Sequence, residues 1–116
     1  MQESNLVSQT IAAVATAVAP GQGGIAVIRL SGPDAQCAVR EITSFPGAQP
    51  WESHRVLYGH VMAADGLERL DEVLVLLMQA PRSFTAEDVV EIHCHGGGAC
   101  DCKKLIYART YQVYLK

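Results

Sequence analysis

Residues 55–80 read RVLYGHVMAADGLERLDEVLVLLMQA, and this stretch decides the architecture. In residues 55–62, Val56, Tyr58 and His60 fall on one face of a strand, and Leu57, Gly59 and Val61 fall on the other. Ala64-Asp65-Gly66 follows, and Asp-Gly between two strand-like runs is a strong hairpin signal. The return run, residues 69–80, contains Val73-Leu74-Val75-Leu76-Leu77-Met78, apolar on both faces as a central strand is. The core of the fold is therefore expected to be a hairpin whose second strand lies inside a larger sheet.

Upstream, residues 1–9 are polar and read as a loose arm, and residues 10–19, dense in Ala, Val and Ile, suit a buried strand. Pro20-Gly21-Gln22-Gly23-Gly24 is a turn cluster. A second strand follows over residues 25–30, with Ile25, Val27 and Arg29 on one face and Ala26, Ile28 and Leu30 on the other. Ser31 or Gly32 is positioned to cap a helix with Pro33 near its first turn, running to about Ile42 with Ala35, Ala38, Val39 and Ile42 on one apolar face. Residues 44–53, with two prolines, Gly47 and Trp51, read as a loop. Downstream, residues 85–88 form a short turn before a fifth strand, residues 89–95, stopped by Gly96-Gly97-Gly98. On that strand Val89, Glu91, His93 and His95 share one face, and Val90, Ile92 and Cys94 share the other. A polar face there marks a candidate site. The sum is an α+β domain: roughly five strands in a mixed or antiparallel sheet packed with helices.

The composition excludes several classes. At 116 residues the chain is one domain's worth, and 49% apolar with 18% charged residues is globular, not disordered. Net charge is −3 with no basic cluster, so the chain is not expected to grip nucleic acid by itself. There is no apolar run of the roughly 18–20 residues that span a bilayer and no secretory pattern at the N-terminus. A cytoplasmic location, with the four cysteines reduced and no membrane partner, is the expectation.

Two stretches carry a family resemblance. The first is TIAAVAT (residues 10–16) followed by APGQGGIAVIRLSG (residues 19–32); the second is APRSFTAEDVVEIHCHGG (residues 80–97). In order and spacing both resemble the N-terminal domain of the MnmE (TrmE) family of tRNA-modifying GTPases, and the resemblance covers roughly residues 9–97. It implies a fold like the tetrahydrofolate-binding modules of one-carbon enzymes, a homodimer, and a bound 5-formyl- or 5,10-methylene-tetrahydrofolate near the dimer interface. In the family this domain is joined to a helical domain with an inserted GTPase, which takes GTP, magnesium and potassium. With the FAD protein MnmG the whole enzyme modifies the wobble uridine of certain tRNAs. Arg29 and Glu91 match the family's folate contacts. The chemistry suits them: a carboxylate accepts the side-by-side N–H and amino groups of a reduced pterin, and a guanidinium donates in a fork to a ligand oxygen.

The sequence departs from the family's pattern at Ala86, where the family has Gly, and from Gly98 onward. Residues 98–116 are expected to be a tail without family match, such as a shifted reading frame or a truncated gene leaves. No phosphate-loop lysine motif is present, and none of the four cysteines matches the family's C-terminal catalytic one, so the chain is expected to be inactive alone, with no catalytic residue of its own. Two other readings stand beside the folate one. The chain can be a purely structural dimerisation fragment whose pocket is lost with the altered tail, and Arg29 by itself can be a strand-end arginine paired with an Asp or Glu. A small metal-binding domain using His93, His95, Cys100 and Cys102 is the third, but H-x-H and C-x-C are not the usual zinc spacings and no metal is expected.

Overall fold

The computed structural model describes residues 9–15, 24–83, 86–95, 102, 104–106 and 113–115. They form β1 (Thr10–Val14), β2 (Ile25–Ser31), α1 (Ala35–Ile42), β3 (Thr43–Ser44), β4 (Arg55–Met62), β5 (Arg69–Met78), β6 (Val89–His95) and β7 (Val113–Leu115). The strands make one sheet in the order β3-β4-β5-β6-β2-β1-β7. Every neighbouring pair is antiparallel except β1 and β7, which run parallel. The domain is thus α+β with a mostly antiparallel sheet, but of seven strands where five were expected. The two additions, β3 and β7, are the two- and three-residue strands at the sheet's edges. β1 ends at Val14, whereas the sequence pattern ran the strand to residue 19; residues 16–23, with most of the glycine-rich turn, lie outside the described residues.

The hairpin forms where Asp65-Gly66 predicts it. Gly66 takes φ +76°, the left-handed region that glycine enters without a Cβ penalty. Asp65 Oδ1 accepts the backbone N–H of Leu67 at 2.8 Å and closes the turn. β4 and β5 then pair from Arg55↔Leu77 onward, with a bulge between Val61 and Met62.

Period-two alternation puts the core on one side of the sheet. Ala26, Ile28 and Leu30 of β2 lie beside Cys94, Ile92 and Val90 of β6, and Val75 and Leu77 of β5 continue the row. The predicted helix face, Ala35, Ala38, Val39 and Ile42, is fully buried against them, as are Cys102 and Ile106. Trp51 seals the helix flank: its Nε1–H donates to Gln36 Oε1 at 2.8 Å, and the Arg40 guanidinium stacks 5.1 Å from its ring.

The helix start differs from expectation. Asp34, not Ser31 or Gly32, holds the N-cap position, and it makes no side-chain cap bond. Instead Thr10 Oγ1, reaching from β1, accepts the Asp34 N–H at 2.8 Å. Gly32 turns the chain at φ +134°, tight against the backbone of Gln9 and Thr10.

β5 lies between β4 and β6, the central place that its apolar run predicts. Among the described residues its second face is not covered: Leu74 is 46% exposed. Among the described residues the sheet is packed on one side only.

Ala86 sits at φ +61°, so alanine occupies a left-handed position where glycine would be at ease. Ala86→Gly is expected to stabilise the domain by about 0.5–1 kcal/mol, the relief of that backbone penalty less glycine's entropy cost. Urea denaturation reads it, and a lower midpoint would contradict it.

Candidate functional site

The open face of the sheet carries the residues singled out from sequence. Arg29 on β2 and Glu91 on β6 are direct cross-strand partners. Arg29 donates from Nε at 2.8 Å and from Nη2 at 2.6 Å, both to Glu91 Oε2. The other carboxylate oxygen, Oε1, faces His93 Nε2 at 3.0 Å. Glu91 is only 6% exposed, while the Arg29 side chain is 40% exposed. Burial pushes the Glu91 carboxyl up, but the hydrogen bonds from His93 and Arg29, with their charge, outweigh it and hold it below its ordinary value. The result is an ionised, oriented carboxylate at the middle of an uncovered sheet.

Two cavities flank this group. One, of about 300 Å³, lies on the β1 side and is lined by Ile11, Ala13, Ala15, Arg29, Ser31 and Glu87, with the Ser31 hydroxyl donating to Glu87 Oε1 at 3.1 Å. The other, of about 310 Å³, lies on the β5 side and is lined by Ile25, Tyr58, Leu74, His93 and His95 among others. A smaller one, of about 110 Å³, reaches His93 between Val56, Leu74 and Leu76. Around them the face is apolar: Val56 is 63% exposed and Ile25 62%, with Ile11, Tyr58 and Leu74 also exposed.

His95 ends the same row. Its Nδ1 lies 2.6 Å from Asp71 Oδ1, and its backbone N–H donates to Asp71 Oδ2 at 2.9 Å. This clasp joins β5 to β6 beyond their last paired residues, Leu74 and His93. The hydrogen bond and charge of Asp71 raise the His95 pKa above its ordinary 6.5. A raised folded-state value favours the protonated form in the fold. The clasp's contribution is therefore full below pH 6.5 and lost as pH rises through the folded value. His95→Gln is expected to flatten that part of the stability-versus-pH curve, measured by urea denaturation from pH 5 to 9; parallel curves for both proteins would count against it.

Sequence reasoning placed Arg29 and Glu91 on a site face but missed His93 as Glu91's second partner and Asp71 as His95's. The signal for the first was present, since residues two apart on a strand share a face. The Asp71 contact depends on strand register and had no local signal. Of the four residues weighed for zinc, His93 and His95 are engaged by Glu91 and Asp71, and Cys100 lies outside the described residues. Among the described residues no three His, Cys, Asp or Glu side chains are placed to hold a metal ion. No helix among them is long and apolar enough to cross a membrane.

A single sheet sealed on one face by a helix, with a buried ion-paired carboxylate on the face that the described residues leave open, defines the class: an α+β domain with a polar centre in an apolar surface. Residues 10–111 match the family described as "GTP-binding protein TrmE N-terminus", and the chain belongs to that family. It is 78% identical over 97 residues to the tRNA modification GTPase MnmE of Synechococcus sp. (strain WH7803), covering 84% of this chain and 21% of that protein. The MnmE of Synechococcus sp. (strain CC9311) is 81% identical over 88 residues, 76% of this chain and 19% of that protein. The MnmE of Prochlorococcus marinus (strain MIT 9303) is 76% identical over 89 residues, 77% of this chain and 19% of that protein. The chain thus spans about a fifth of the length of these relatives.

Proposed function

We propose that this chain is the folate-binding, dimer-forming N-terminal module of a cytoplasmic tRNA-modifying GTPase. The observation that carries the reading is the ionised Glu91 carboxylate, held by Arg29 in the centre of the open face with cavities on both sides. Each larger cavity is at the lower end of the roughly 300–1,000 Å³ typical of small-molecule sites. A flat reduced pterin suits such a place: its N–H and amino groups meet the carboxylate, its rings lie on the apolar rows, and its oxygens or glutamate tail meet the exposed side of Arg29. When bound, 5-formyl- or 5,10-methylene-tetrahydrofolate supplies the one-carbon unit; this chain's residues bind and orient it. The fold, in this reading, is of the tetrahydrofolate-binding-domain type.

The apolar rim supports the homodimer. Val56, Ile25, Leu74, Tyr58 and Ile11 are large exposed hydrophobes on one face, the kind of patch that marks an association surface. GTP, magnesium, potassium, MnmG and tRNA belong in this reading to the rest of the full-length protein.

Isothermal titration of the chain with 5-formyl-tetrahydrofolate, alongside sedimentation velocity, tests both parts. Saturable heat and a dimer boundary are expected. A dimer that gives no heat at high ligand would leave the structural dimerisation reading, with Arg29–Glu91 as an ordinary ion pair.

A further inference from the structure

The hydrogen-bond inventory of Glu91 has a consequence for how any ligand reaches it. An ionised carboxylate only accepts, with about four lone-pair positions on its two oxygens. Oε2 already takes two donors from Arg29. Oε1 takes one, and because the carboxylate has no hydrogen to give, His93 Nε2 carries the hydrogen of that 3.0 Å contact. A pterin presents two donors to this carboxylate, and one accepting position remains. The arrangement must therefore release a bond when the ligand arrives.

We infer that His93 is a displaceable stand-in for the ligand, occupying at Glu91 Oε1 the place a pterin N–H takes, and so sets the affinity of the site. This rests on the folate reading above. Two observations favour His93 over Arg29 as the group that yields. Its contact is single, whereas Arg29 makes two shorter ones. It also borders both the 310 Å³ and the 110 Å³ cavities, so the displaced ring has room to turn away from the carboxylate. Arg29 meanwhile keeps Glu91 ionised and in place. His93 is thus a positioning residue: it keeps a buried acceptor satisfied in the free domain and competes with the ligand for it.

The test is titration of the full chain with 5-formyl-tetrahydrofolate in wild type, His93→Ala and His93→Gln. His93→Ala removes the competitor and is expected to bind roughly 10- to 100-fold more tightly, the span of one hydrogen bond to a charged group. His93→Gln keeps an amide donor and is expected to stay near wild type. Histidine side-chain ¹H–¹⁵N spectra of the wild type give an independent readout: the His93 Nε2 signal is expected to shift on ligand addition, the His54 signal to stay. Unchanged or weaker binding by a folded His93→Ala, or an unmoved His93 signal in a bound sample, overturns the inference while leaving the folate reading intact. Absence of binding by the wild type overturns both.

Discussion

Glu91→Ala is expected to weaken folate binding by about 100-fold or more while costing the fold little. Each hydrogen bond to a charged group contributes roughly 1.5–3 kcal/mol, and the pterin loses two of them. The stability cost is small because the Arg29 side chain, 40% exposed, keeps its contact with water when Glu91 is removed. Arg29→Ala is the opposite case. It strips two donors from a carboxylate that is 6% exposed and leaves it with His93 alone. That variant is expected to lose roughly 2–3 kcal/mol of stability, because a buried charge without its partner keeps its full desolvation penalty. Calorimetry and urea denaturation on the two variants separate the roles. Equal affinity for wild type and Glu91→Ala would show that the ligand never meets this carboxylate.

The second large effect is structural. A Cβ on Gly32 would stand 2.6 Å from the Thr10 Cα and 2.7 Å from the Gln9 carbonyl oxygen, in a backbone at φ +134°. Both neighbours are main chain of β1 and its lead-in, so no side chain can swing aside. Gly32→Ala is expected to cost roughly 2–6 kcal/mol, from backbone strain and overpacking together. That is a large fraction of the roughly 5–15 kcal/mol that holds a domain folded. Gly66→Ala is the control: its φ is also positive, at +76°, but a Cβ there meets nothing within 4 Å. It is expected to lose only about 1 kcal/mol. Thermal melts that rank the two variants equally would remove the steric argument.

Much of this architecture was legible in the sequence, for identifiable reasons. Alternation in β2 and β6 is strong enough to place Arg29 and Glu91 on faces opposite Ile28 and Ile92. The Asp65-Gly66 turn and the Ala35, Ala38, Val39, Ile42 stripe are local signals, and both hold. β3 and β7 were not legible, because two or three residues carry no period. The double-faced apolarity of β5 told its central place but not its exposure, because an open apolar face has the same composition as one covered by its own chain. The Asp71–His95 clasp joins residues 24 apart, and only a known register reveals such a contact.

The strand order has a consequence for how the molecule comes into being. β6, the last long strand among the described residues, inserts between β5 and β2. Until residues 89–95 have been synthesised, the β1–β2 pair and the β3–β4–β5 meander have no strand to join them, and each shows a bare edge. Glu91 arrives on that same strand, so the step that knits the two halves also installs the carboxylate. Placement of the carboxylate and joining of the two parts of the sheet are then a single event, and a nascent chain short of it exposes two unsatisfied borders to its neighbours.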